Sequence, residues 1–252
     1  MSTDGVTAVD LERPKSVGEL ITDAVRCYRL HPVLFAEITL AVVVPYALVV
    51  LLIDGRGLLS SGTGGASAAL LVLVLDLLLV GPLISALHVN AVVEIGARRR
   101  PEVGTVLMRG ARVLPVVAAA QIVAALGTGL GFIALIVPGL VLMARWAVVA
   151  QAAALEDVNW IMALRRSAEL TAGCYLHVLG LLISVGVINV VIARIGTALS
   201  GSRASVGAIV AGIVFEMITL SFSALSSAML YFDLRARKRA PGSTRKSDRS
   251  RG

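Results

Sequence analysis

Residues 33–53 read VLFAEITLAVVVPYALVVLLI, 21 residues with a single ionisable side chain, Glu37. At about 1.5 Å per residue, a helix of that length crosses a hydrocarbon core of roughly 30 Å. The stretch therefore predicts an all-α polytopic membrane bundle. Further apolar segments follow, and six transmembrane helices are expected over residues 33–53, 67–95, 113–126, 132–154, 175–195 and 206–232. The third and fourth are cut from one long apolar region at GTGLG, Gly127 to Gly131, read as a turn because glycine disfavours helix. GTGLG lacks the lysine and the preceding strand of a phosphate loop.

Composition agrees: 57% of residues are hydrophobic and 15% charged, with a mean hydropathy of +0.88. A polar N-terminal tail is expected over residues 1–15, the membrane domain over 16–235 and a disordered basic tail over 236–252, leaving no stretch for a second, soluble domain. The pI of about 10.1 invites a nucleic-acid reading. From Asp233 onward, however, the chain holds eight basic residues against two acidic ones, and the remainder is almost balanced. The basicity belongs to one tail, so no nucleic-acid partner is expected.

The first 31 residues lack a signal peptide's short apolar core and cleavage site, so the first span is expected to direct insertion. Lys and Arg in the short loops set orientation. With the N-terminus inside, nineteen of the 23 basic residues fall on the inner side, while Arg56, Arg194 and Arg203 fall outside and Arg145 within a span. Both termini are thus expected in the cytoplasm of a cell-membrane protein. Tyr28, Trp160, Tyr175 and Tyr231 fall at the inner boundary, where amphipathic rings favour the headgroups. Cys27 and Cys174, the only cysteines, are expected inside and reduced.

Ser16-Val17-Gly18-Glu19 has the form of a capping box. Beyond it Val17, Leu20, Ile21, Ala24, Val25 and Tyr28 recur at helical spacing, predicting an amphipathic helix that either lies in the inner interface or packs on the bundle. PEVGTVLMRGARVLPV echoes this lead-in before the third span. A looser copy before the fifth places Trp160, Ile161, Leu164 and Ala168 on one face. The chain thus reads as three helical hairpins, each entered from a cytoplasmic amphipathic helix.

Asp76, Arg145 and Glu216 are the ionisable residues deep within spans, and such groups usually face a partner inside the bundle. Depth counting lets Arg145 meet Asp76 or Glu216, joined by Gln121. This cluster is either a polar midplane site or a buried ion pair that fixes helix packing. Glu37 lies near the inner boundary of its span. Pro45, Gly81-Pro82 and Pro138-Gly139 interrupt spans, through packing kinks or as the lining of a site. His31, His88 and His177 are scattered without metal-ligand spacing and are expected as interfacial polar residues. No catalytic, cofactor or metal residue is assigned. Arg26, Arg29, Arg165, Arg166, Arg235 and Arg237 are candidate contacts for anionic lipid headgroups on the cytoplasmic face.

The segment GFIALIVPGLVLMARWAVVAQAAALED, followed by ALRRSAELTAG, resembles the prokaryotic membrane-domain family named for glycerophosphoryl diester phosphodiesterases. The matching positions are Ile136, Pro138, Gly139, Arg145, Glu156, Ala163 to Ser167, Leu170, Thr171 and Gly173; SVGELITDAVRCYRLHP and YFDLRAR are similar as well. Ala172 departs from the basic residue often found there. The resemblance implies a six-span membrane domain. The phosphodiesterase's catalytic barrel has no counterpart, so no enzyme activity is carried over. Two functions remain in view: a non-enzymatic scaffold, accessory or assembly component, alone or with a second copy or a membrane-protein partner; or a small transporter or lipid-handling protein built around Arg145, Asp76 and Glu216.

Overall fold

The computed structural model describes residues 13–55, 80–97, 102–200 and 206–239, together with Leu70, Val72, Val74 and Asp76. The described residues form nine helices and no strand: α1 (Val17–Leu30), α2 (Pro32–Gly55), α3 (Gly81–Gly96), α4 (Val103–Ala134), α5 (Ile136–Arg145), α6 (Val149–Leu155), α7 (Trp160–Thr171), α8 (Tyr175–Ser200) and α9 (Val206–Arg239). By length and composition, five stretches suffice to cross a membrane: Pro32–Val50, Val103–Ala134, Ile136–Leu155, Tyr175–Gly196 and Ala211–Arg239. Gly81–Gly96 is apolar but shorter.

The capping box forms as read. The Ser16 hydroxyl accepts the Glu19 amide, and the Glu19 carboxylate accepts the Ser16 amide at 2.7 Å. Helix α1 then packs on the bundle, chiefly against α9, burying Leu20, Ala24 and Cys27. Leu20 and Ala24 are buried and Val17, Ile21 and Tyr28 pack against the core on the expected face, while Val25 stays 42% exposed and Cys27 is buried beside them. The third lead-in helix exists as α7, started by Asn159, whose side chain accepts the Met162 amide. Gly173 follows it at φ +82°, a left-handed conformation that glycine adopts without strain.

Residues 113–154 depart from the expected cut. Helix α4 runs unbroken through GTGLG, so the second lead-in helix and the third span are one 32-residue rod. The chain turns instead at Leu135, extended at φ −165° and ψ 152°, and the expected fourth span is divided into α5 and α6 by a break at residues 146–148. Small size rather than flexibility is what these glycines supply. A Cβ on Gly131 would come within 3.1 Å of the Gly139 Cα, and one on Gly127 would strike the Trp146 ring. They let α4 and α5 pack backbone to backbone.

The core is built from α3, α6 and the second half of α9. Six of the seven α6 residues are buried, as are Leu225, Ala228, Met229, Leu230, Tyr231 and Leu234 of α9. By contrast α2, α8 and the α4–α5 hairpin present Leu48, Leu52, Ile133, Leu135, Leu176, Ile183 and Val187 outward, each more than half exposed. Apolar surface on this scale fits a lipid solvent. Helix α9 reaches Arg239, so residues 236–239, expected in the tail, are helical; residues 240–252 and 1–12 lie outside the described residues.

Candidate functional site

The bundle has two polar ends. At one, called here the basic end, the start of α1, the C-terminus of α9, α7 and the start of α8 converge. Asp233 on α9, with a side chain 0% exposed, is its centre. One carboxylate oxygen accepts the Lys15 amide at 2.6 Å; the other lies 3.0 Å from His177 Nε2 and accepts Arg237 Nε at 2.8 Å. Arg237 also donates from Nη2 to the Lys15 carbonyl at 2.6 Å, and the Lys15 ammonium reaches Asp23 at 2.5 Å. One acid therefore ties the N-terminal lead, α8 and α9 together. Lys238 adds a bond to the Ala172 carbonyl, at the C-terminal cap of α7.

A second knot lies alongside. Glu156, just after α6, receives Arg166 Nε of α7 at 2.7 Å and the hydroxyl of Tyr231 of α9 at 2.6 Å. Ser167 and Thr171 of α7 both donate to the Arg145 carbonyl, at 3.0 and 3.2 Å, closing off the C-terminus of α5. Glu156, Arg166 and Tyr231 form one hydrogen-bonded group, and Ser167 and Thr171 with the Arg145 carbonyl a second, both on α7.

The expected midplane cluster is not assembled. Asp76 and Glu216 lie within electrostatic range of each other and of Tyr46, at the far end of the bundle, and the Tyr46 hydroxyl donates to the Val72 carbonyl at 3.3 Å. Arg145 is elsewhere: its side chain is exposed, its backbone is held by α7, and no ion pair or hydrogen bond joins it to Asp76, Gln121 or Glu216 among the described residues. The depth count failed because it assumed one straight helix over 132–154. Gln121 borders a different space, a cavity of about 450 Å³ between α4, α5, α6 and α8 that Phe132, Met143, Trp146 and Leu182 make largely apolar.

Of the six candidate headgroup arginines, Arg166 and Arg237 are committed to internal pairs, Arg165 pairs with Glu169 at 3.3 Å on the surface, and Arg235 is half-buried beside Tyr231. Arg26 and Arg29 are exposed and line an open cleft of about 460 Å³ with Thr22, Val25 and Leu30. Of the histidines, His88 departs from the interfacial reading. His177 belongs to the Asp233 network, and His88 is fully buried, stacked 5.3 Å from Phe35 with Nδ1 at 2.9 Å from the Ile84 carbonyl. The missed signal for Asp233 was its spacing to Arg237, four residues on along one helix. Among the described residues, no three His, Cys, Asp or Glu side chains converge as metal ligands.

Comparison of the chain with family models, with curated proteins and with solved structures finds no match.

Proposed function

We propose that this protein is a non-enzymatic, multi-pass component of the cell membrane, a scaffold or assembly partner, with both termini on the cytoplasmic side. The observation that carries the reading is the commitment of its polar side chains. At the basic end Lys15, Glu156, Arg166, His177, Tyr231, Asp233 and Arg237 all hold helices to one another. A rigid basic end bearing exposed Arg26 and Arg29 suits contact with anionic headgroups, each basic residue near such a surface contributing about 1 kcal/mol. The resemblance to the phosphodiesterase-associated membrane domain supports the same reading, with only the membrane part carried over.

A second reading, a small transporter, rests on the proximity of Asp76 and Glu216 at the far end and no longer includes Arg145. Extraction of the full chain in mild detergent separates the two. The scaffold reading expects an assembly of defined stoichiometry that survives in the Asp76→Asn, Glu216→Gln double variant. A lone chain that carries out proton-coupled flux in vesicles, lost in that variant, would overturn it.

A further inference from the structure

The geometry points to a re-entrant hairpin: we infer that residues 124–146 enter the bilayer from the basic end, turn back at Leu135 near the midplane and leave on the same side. The chain would then cross the membrane four times rather than six. Both termini stay on one face in either case, so the inference stands apart from the proposed function.

The first support is where the ends of the segment lie. The Arg145 carbonyl is held by Ser167 and Thr171, and Glu156 is held by Arg166, the residue next to Ser167. Eleven residues apart in sequence, Arg145 and Glu156 meet the same stretch of α7. The chain between them thus returns to the helix it left, and α6 is buried against α3, α4 and α7.

The second is length. Only the ten residues of α5 lead away from α7, an excursion of about 15 Å, half of a hydrocarbon core of roughly 30 Å. The last turns of α4 run alongside, as the contacts of Gly131 with Gly139 and Gly127 with Trp146 require. Helix α4 starts at the basic end as one unbroken rod of about 48 Å, so it reaches a tip about 15 Å deep by lying strongly tilted across the bundle. His88 stacks on Phe35 and Phe35 on Tyr28 of α1, which places the C-terminal half of α3 toward the basic end. There Glu94 pairs with Arg109 of α4, and further along Gln121 to Thr128 share their cavity with Ala147 and Val149.

The third is the tip. No polar side chain other than the backbone occurs from Gly129 to Met143, and Ile133, Leu135, Ile136 and Val137 are 83, 68, 70 and 69% exposed. Helix α5 also touches α8, one of the stretches able to cross. Backbone at that depth must have its polar groups bonded internally. The Leu135 amide donates to the Gly131 carbonyl at 2.9 Å, its own carbonyl accepts from Gly139 at 3.3 Å, and Pro138 has no N–H to satisfy. The occupant of this surface is thus the acyl chains of one leaflet.

The test uses the full chain, with Cys27 and Cys174 replaced by Ser, carrying single cysteines at Leu135, Ile133 or Val137, exposed positions where the substitution removes no buried contact. After reconstitution, spin labels at these sites should show oxygen accessibility far above that to a water-soluble nickel complex. The ratio should be highest at 135. In intact cells none of the three should react with an impermeant maleimide. Labelling from outside would show that the hairpin crosses, and a low ratio at 135 would show that the tip lies in water; either result overturns the inference.

Discussion

Asp233 concentrates the energetics of the basic end in one side chain. Removing a fully buried acid leaves the Lys15 amide and Arg237, itself 30% exposed, without their acceptor, a loss of about 1–3 kcal/mol. Asp233→Ala should therefore lower the thermal midpoint of the purified chain well below that of Arg165→Ala, whose surface pair with Glu169 is worth at most about 1 kcal/mol. Glu19 gives a pH test. The Ser16 amide, with help from Arg13, holds its carboxyl at about 2, below the usual 4.5. A depressed carboxyl contributes stability present above the unfolded value and lost as pH falls through the folded one. The α1 cap should weaken between about pH 4.5 and 2, and Glu19→Gln should flatten that part of the profile, as read by helix content or proteolysis near residue 16. Burial, reinforced by Asp23, pushes the Cys27 thiol up to about 12. In the folded chain at pH 8, iodoacetamide should modify half-buried Cys174 and spare Cys27 until denaturant is added. At this scale the sequence offered identities more readily than partners. Ser16 and Glu19 were legible as a pair because three residues on one helix end fix their distance. Glu156 and Tyr231 are separated by 75 residues, and only the packing of α6 and α7 on α9 brings them together.

Elements were legible where a local signal ends them. The capping box that opens α1 was read as such, and α7 was read from its apolar face, while its brackets Asn159 and Gly173 emerge from the structure. The α4–α5 hairpin was hidden because its glycines mark close packing while its turn falls at a leucine. In water a run of glycines disfavours a helix by about 1 kcal/mol each. In an apolar setting an unpaired peptide group costs more than that, so GTGLG stays helical. Gly131→Val should push the two arms apart, since even its Cβ would meet the Gly139 Cα at 3.1 Å. Cysteines placed on facing turns of α4 and α5 should then lose their disulfide cross-linking, whereas Gly129→Val, with open space around it, should leave it intact.

For the molecule as a whole, hydropathy identified the lipid-facing helices, while the interior arrangement followed from contacts that hydropathy does not encode. Five stretches are long and apolar enough to cross, yet one of them, Ile136–Leu155, ends in α6, which is core. The central claim is an integral membrane protein whose basic end faces the cytoplasm. Sided labelling tests it most directly, with single cysteines at Ser247 in the basic tail and Ser202 between α8 and α9, in the background lacking Cys27 and Cys174. An impermeant maleimide should label Ser202→Cys in intact cells and Ser247→Cys only after the membrane is opened. Labelling of Ser247→Cys from outside, with Ser202→Cys protected, would contradict the account.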